Sequence, residues 1–112
     1  MDAAPPIADE ALAPGDIPGP EASWAEIASF ALQFDGYSRL GSFGACAETG
    51  NRARETFSRE RSLPADLVTA RTALFFEQRR YHHLGEPPAA GEMAYLHALI
   101  ERIRELVNAR RG

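Results

Sequence analysis

Apolar residues recur every three or four positions along most of the chain, and this spacing constrains the fold more than any other feature. Residues three and four apart share one face of an α-helix, so the pattern predicts amphipathic helices. It is clearest over about residues 91–110, where the apolar stripe comprises Leu96, Leu99, Ile100, Ile103, Leu106 and Val107. Strand-like alternation is almost absent from the sequence. The chain is therefore predicted to be all-α.

Two of the three preceding helices carry clear start signals. The first is predicted over about residues 23–34, because Ser23 followed by Glu26 is a capping-box pattern. The third is predicted from about residue 62 to residue 83, with Ser62 as its N-cap. A glycine and two prolines then follow, which end a helix.

The second helix has weaker signals. It is predicted to begin after Ser42 and to end near Arg61, and its apolar stripe is interrupted by Arg54. The sequence leaves open whether it is continuous through Gly50, since glycine costs about 1 kcal/mol in a helix interior. Four amphipathic helices with short connections predict a compact antiparallel bundle, which we assign to residues 22–112.

Residues 1–21 have a different composition from the rest. They hold five of the eight prolines and five acidic residues, with no basic or aromatic residue. Such a segment buries too little apolar area to offset the entropy lost on ordering, so it is predicted to be a disordered acidic tail. Its role is either a partner-binding or self-masking arm, or a solubilising extension. It has no basic start and no apolar run, which excludes a secretory signal.

The overall composition excludes several classes of protein. The net charge of −4 does not favour nucleic acid as a partner, and no apolar run is long enough for a membrane helix. Cys46 is the only cysteine, so neither an intrachain disulfide nor a multi-cysteine zinc site can form. We expect a cytoplasmic protein. All 12 basic residues counted as Lys and Arg are arginine, a usage that suggests a GC-rich, bacterial coding sequence.

Catalytic and cofactor motifs are missing from the sequence. It contains no glycine-rich phosphate loop, HExxH pair, nucleophile elbow or CxxC motif. The adjacent His82 and His83 point about 100° apart on a helix, so they cannot chelate one metal ion together. No catalytic residue, metal or cofactor is predicted, and a non-enzymatic function is favoured.

A polar stripe lies within the apolar face of the third helix. Arg71, Gln78 and His82 follow one another there at helical spacing, which is costly unless each finds a partner. One interpretation is a pocket for a carboxylate, a phosphate or a peptide group. Another is an internal polar network, and a third is contact with a second subunit. The candidate internal partners are Asp35, Tyr37 and Glu48.

A second set of residues suggests a surface for a partner. Phe76 is predicted to point away from the core, to the same side as Arg80 and His83, with Arg79 beside them. An exposed aromatic ring beside arginine can anchor a protein partner or stack on a base. On the second helix, Arg52 and another arginine each follow a glutamate by four residues, a spacing that allows ion pairs. This pattern favours a solvated, ion-paired face over a nucleic-acid surface.

Two segments carry a resemblance to known proteins. FALQFDGY at residues 30–37 and LFFEQRRY at residues 74–81 resemble signatures of a group of small uncharacterised bacterial all-α proteins. The resemblance spans roughly residues 24–107. The group has no assigned activity, so the resemblance implies no site residues.

Three functional hypotheses follow from these residues. The leading one is a non-enzymatic protein-binding or adaptor module, whose partner is another protein or a second copy of the chain. The first alternative is nucleic-acid binding by the arginines and Phe76 of the second and third helices, which predicts a steep salt dependence. The other alternative is a small-ligand or enzymatic site around Arg71, Gln78 and His82.

Overall fold

The predicted all-α bundle is confirmed by a computed structural model that describes residues 7–34 and 41–111, apart from the side chain of Arg111. These residues contain four α-helices and no strand. The helices are α1 (Trp24–Ala31), α2 (Phe43–Glu60), α3 (Leu67–Leu84) and α4 (Ala90–Arg111). Two short 3-10 helices precede them, Asp9–Ala11 and Pro14–Asp16. None of the described helices is both long and apolar enough to cross a lipid bilayer.

Local hydrogen bonds explain where the helices begin. The predicted capping box of α1 is confirmed: Ser23 Oγ accepts from the Glu26 amide, and Glu26 Oε1 accepts from the Ser23 amide. The prediction that Ser62 caps the third helix is wrong. Asp66 caps it instead, because its carboxylate accepts hydrogen bonds from both the amide and the hydroxyl of Thr69. Helix α3 therefore begins at Leu67.

Helix α3 is the centre of the bundle and packs against each of the other three helices. Every residue from position 70 to position 78 is buried, including the polar residues Arg71, Thr72, Glu77 and Gln78. A helix enclosed on all sides needs partners for its polar groups within the protein. The buried polar groups of α3 therefore mark where the neighbouring segments contribute charged and polar partners.

A close approach between α2 and α3 occurs at Gly50. Helix α2 is continuous through this glycine, which answers the question that the sequence left open. A Cβ atom at position 50 would lie 2.6 Å from the Cβ of Phe76 and closer still to its ring, so only glycine fits. One turn earlier, Cys46 is fully buried, and its burial raises the pKa of the thiol.

The segment 7–22, which we call the strap, lies against the bundle. Leu12 is 1% exposed and Ile17 is 7% exposed, and both belong to the main apolar core. This differs from the prediction of a disordered tail over residues 1–21. The composition of the tail is unfavourable on average, but two well-spaced apolar side chains reach the core, and basic side chains of α3 and α4 bind carbonyl oxygens along the strap. Residues 1–6 lie outside the described part of the chain.

Candidate functional site

The structure divides the predicted polar stripe of α3 into separate environments. Arg71 is 2% exposed and binds the strap: its Nη1 donates to Asp9 Oδ1 at 2.9 Å and to the carbonyl oxygen of Ile7 at 2.6 Å. The guanidinium carbon lies 5.9 Å from the ring centroid of Phe30 and 5.0 Å from that of Phe34. Arg71 therefore belongs to an internal network, and Asp9 of the strap is a partner that was not among the predicted ones.

Gln78 and His82 lie elsewhere. Gln78 is buried, and its Oε1 has no hydrogen-bond partner among the described residues, whereas His82 is exposed. Both line a cavity of about 340 Å³ beside Trp24 and the turn after α3, and Arg71 does not reach it. The three stripe residues thus do not form one pocket. The other two candidates for this network, Asp35 and Tyr37, lie outside the described residues.

The densest polar cluster of the described structure surrounds Glu77, on a different side of α3. Arg54 Nε lies 3.3 Å from Glu77 Oε2, and Arg80 Nε lies 3.7 Å from Glu77 Oε1. Both guanidinium groups also bind Glu92 Oε2, at 3.0 Å and 3.2 Å. Each donates in addition to the hydroxyl oxygen of Tyr81 at 3.2 Å. This ion cluster connects α2, α3 and the start of α4.

Burial and charge set the ionisation of the ion cluster. Burial raises the pKa of the Glu77 carboxyl, although Arg54 and Arg80 oppose the shift. Burial is also the main reason that the pKa of Tyr81 is raised to about 12. Hydrogen bonds, above all with Tyr81, lower the pKa of Glu92 to about 2. Two arginines offset two glutamates, so the cluster joins helices and presents no excess charge for a ligand.

Only one part of the ion cluster could be predicted from the sequence. Arg54 was recognised as an interruption of the apolar stripe of α2, and Arg80 was assigned to the surface. Glu77 is not among the predicted site residues because the sequence pattern predicts a single buried arc on α3, whereas this helix is buried on all sides over residues 70–78. The sequence does carry a signal: Glu77 directly follows the four apolar residues of segment 73–76.

The four predicted partner-surface residues meet in one groove between α2 and α3. Phe76, Arg79, Arg80 and His83 line it together with Phe43 and Leu84, and its volume is about 590 Å³. We call it the α2/α3 groove. The prediction that Phe76 is exposed is wrong: Phe76 is 5% exposed, because Gly50 lets its ring sit against α2. The exposed large apolar residues that line the groove are instead Phe43 and Leu84, at 52% and 53%.

The α2/α3 groove is apolar at its base and basic at its rim. The rings of Phe43 and Phe76 lie 6.3 Å apart, tilted to each other. Arg79 and His83 stand on the rim, and Arg80 turns toward the ion cluster. No acidic residue is among the described residues that line the groove. The arrangement suits an apolar side chain flanked by negative charge.

Other surface arginines are already paired. Arg52 lies 3.7 Å from Glu48, and Arg59 lies 3.6 Å from Glu55, as the spacing of four residues predicted. These pairs reduce the free positive charge that a nucleic-acid surface on α2 would need. Within the described residues, no group of three or more His, Cys, Asp or Glu side chains could hold a metal ion.

No protein-family model matches the chain, and neither a curated protein nor a solved structure is significantly similar to it. The resemblance of residues 30–37 and 74–81 to a group of small bacterial proteins therefore stays a prediction.

Proposed function

We propose that the protein is a non-enzymatic binding module whose α2/α3 groove takes an acidic amphipathic segment of another protein. The observation that supports this most is the coincidence of two exposed apolar side chains, Phe43 and Leu84, with an acid-free basic rim. Large apolar side chains exposed together are typical of interaction sites. The single buried thiol fits a reducing compartment, so we place the protein in the cytoplasm.

Charge complementarity selects the partner. Arg79 and His83 would bind carboxylates of the incoming segment, while its apolar side chain would contact Phe43, Leu84 and the ring of Phe76. Apolar contacts of this kind supply most of the affinity, and the charges supply orientation and a faster association rate. The groove is a preformed feature, since Gly50 and Phe76 fix its base.

Selection from a phage-displayed library of random peptides on the full chain tests the proposal. The expected result is enrichment of peptides that combine an aromatic or aliphatic anchor with Asp or Glu. An enriched peptide, once synthesised, should bind the variants Leu84→Asp and Arg79→Glu about tenfold or more weakly than it binds the wild type. Arg59→Glu makes the same charge change outside the groove and should leave the affinity within about twofold.

Two outcomes would overturn the proposal. One is enrichment of peptides without acidic residues, or with an affinity that neither groove variant changes. The other is binding of a labelled single-stranded oligonucleotide that weakens steeply with added salt and is lost in Arg79→Glu, which would favour nucleic acid as the partner.

A further inference from the structure

The bundle binds its own N-terminal strap in the way that a peptide-binding domain binds a peptide. Four basic side chains donate to backbone carbonyl oxygens spaced along it. Arg71 binds the carbonyl of Ile7, Arg110 that of Leu12 at 2.6 Å, and Arg104 that of Pro18. His97 Nε2 lies 3.0 Å from the carbonyl of Ala22. We call this row of basic residues on α3 and α4, with the apolar surface between them, the cradle.

Side-chain contacts add selectivity to this backbone recognition. Leu12 and Ile17 enter the apolar core, and Asp9 binds Arg71, which two phenylalanine rings flank. The cradle therefore selects a segment in which a carboxylate is followed, three and eight residues later, by two apolar side chains. Backbone carbonyls fix the register, and side-chain pockets fix the sequence, as in other modes of peptide recognition.

The strap is held by the cradle more than by its own structure. Its residues flanking the short 3-10 helices have extended backbone, with φ −65° and ψ 152° at Ala8 and φ −93° and ψ 131° at Ile17. On its other side, a solvent-open groove of about 450 Å³ lies between residues 15–18 of the strap and α1, and a backbone hydrogen bond of 2.7 Å from the Ile7 amide to the carbonyl oxygen of Gln33 connects the strap to the turn after α1. Because the strap has no α-helix of its own and borders solvent along this groove, we expect it to open locally while the four helices stay folded.

We propose that the cradle is a second binding site, which takes an acidic, proline-containing segment of a partner protein when the strap is displaced. The strap is then a built-in competitor: its tether gives it an effective concentration in the millimolar range, so a partner must supply either affinity or abundance. This proposal does not depend on the α2/α3 groove.

Fluorescence anisotropy with a labelled peptide of residues 7–22 tests the cradle in the full chain. The peptide should bind the wild-type protein weakly, because the strap competes. It should bind a variant with a weakened strap, Asp9→Asn with Leu12→Ser, about tenfold or more tightly. Glu10→Gln changes an exposed neighbour in the strap and should bind the peptide as weakly as the wild type does.

Specificity is measured with altered peptides and with cradle variants. A scrambled peptide of the same composition should not bind, and a peptide with Asn in place of Asp9 should bind about tenfold more weakly. Adding Arg110→Gln to the weakened-strap variant should reduce peptide binding, whereas adding Leu84→Asp should not. The second result separates the cradle from the α2/α3 groove.

Circular dichroism shows whether the weakened-strap variant is folded and can be used in the binding experiment. If the weakened-strap variant loses its helical signal, the single variant Asp9→Asn replaces it, because this change keeps Leu12. A helical variant that binds the labelled peptide no better than the wild type does, or no better than it binds the scrambled peptide, would overturn the proposal.

Discussion

Helix α3 contains two buried sites that pair arginine with carboxylate, and they differ in what they connect. Glu77 is bound by Arg54 of α2 and lies beside Arg80 of α3, while Glu92 of α4 completes the ion cluster. Arg71 is bound by Asp9, on a strap without an α-helix of its own. The first pairing joins three helices, and the second joins a helix to a short extended segment. Similar chemistry thus joins helix to helix on one side of the bundle and helix to strap on the other, and we expect only the strap side to open locally.

The largest effect is expected at Glu77. Replacing it with alanine leaves Arg54 and Arg80 near each other with no buried carboxylate between them, so the free energy of unfolding should fall by about 3–5 kcal/mol. Urea denaturation measures the change. Glu101→Ala removes an exposed partner of Arg104 and should cost less than about 1 kcal/mol. A loss below about 1 kcal/mol for Glu77→Ala would mean that the ion cluster does not lock this side.

Gly50→Ala tests the packing on the same side of α3. Alanine is the better helix former by about 1 kcal/mol, but its Cβ would overlap the ring of Phe76. We expect overpacking to dominate, with a net loss of about 1–3 kcal/mol on thermal or urea unfolding. Gly44→Ala is the matched control, because its Cβ meets only Ser42 Oγ at 3.8 Å. That variant should be unchanged or more stable, and an equally stable Gly50→Ala would show that α2 can move away from α3.

Asp9→Asn tests the detachable side. The change removes the charge that Arg71 binds, and the free energy of unfolding should fall by about 1–2 kcal/mol, because the strap can open and let water reach Arg71. Hydrogen exchange should accelerate at the amides of the strap, such as Leu12 and Ile17, and not in α3. If exchange accelerates throughout α3 as well, the strap is an integral part of the core and the contrast between the two sides fails.

The smallest effect concerns pH and Glu92. Its pKa in the folded protein is lowered from 4.5 to about 2. A lowered carboxyl pKa contributes stability that is fully present above pH 4.5 and is lost as the pH falls through about 2. The stability difference between the wild type and Glu92→Gln should therefore shrink from pH 5 to pH 2, as measured by urea titrations at each pH. A difference that stays constant over this range would contradict the ionic role of Glu92.

The fold was largely predictable because its signals are local. The apolar period of α4, the capping box of α1 and the glycine that ends α3 are each read from a few neighbouring residues. The start of α3 was misplaced because Ser62 and Asp66 are both good caps, and only the hydrogen bonds to Thr69 decide between them.

The candidate sites were only partly predictable because they depend on contacts between distant segments. Arg71 was correctly identified as a buried polar residue, but its partner lies 62 positions away in a segment with the composition of a disordered tail. The partner-surface residues do share a groove. Phe76 forms its base, however, because Gly50 lets its ring pack against α2, and the exposed apolar side chains are those of Phe43 and Leu84. Periodicity along a single helix predicts neither the contact between Arg71 and Asp9 nor the one between Gly50 and Phe76.

The buried thiol of Cys46 provides a built-in probe of how often the surrounding region opens. It is the only cysteine, it is fully enclosed, and its raised pKa keeps it protonated and slow to react. A thiol reagent can therefore modify it only during the brief intervals in which the region around it opens. The labelling rate of the unmodified protein would report how often this opening occurs, and a ligand that bound in the α2/α3 groove and held α2 against α3 would slow that rate without any engineered probe.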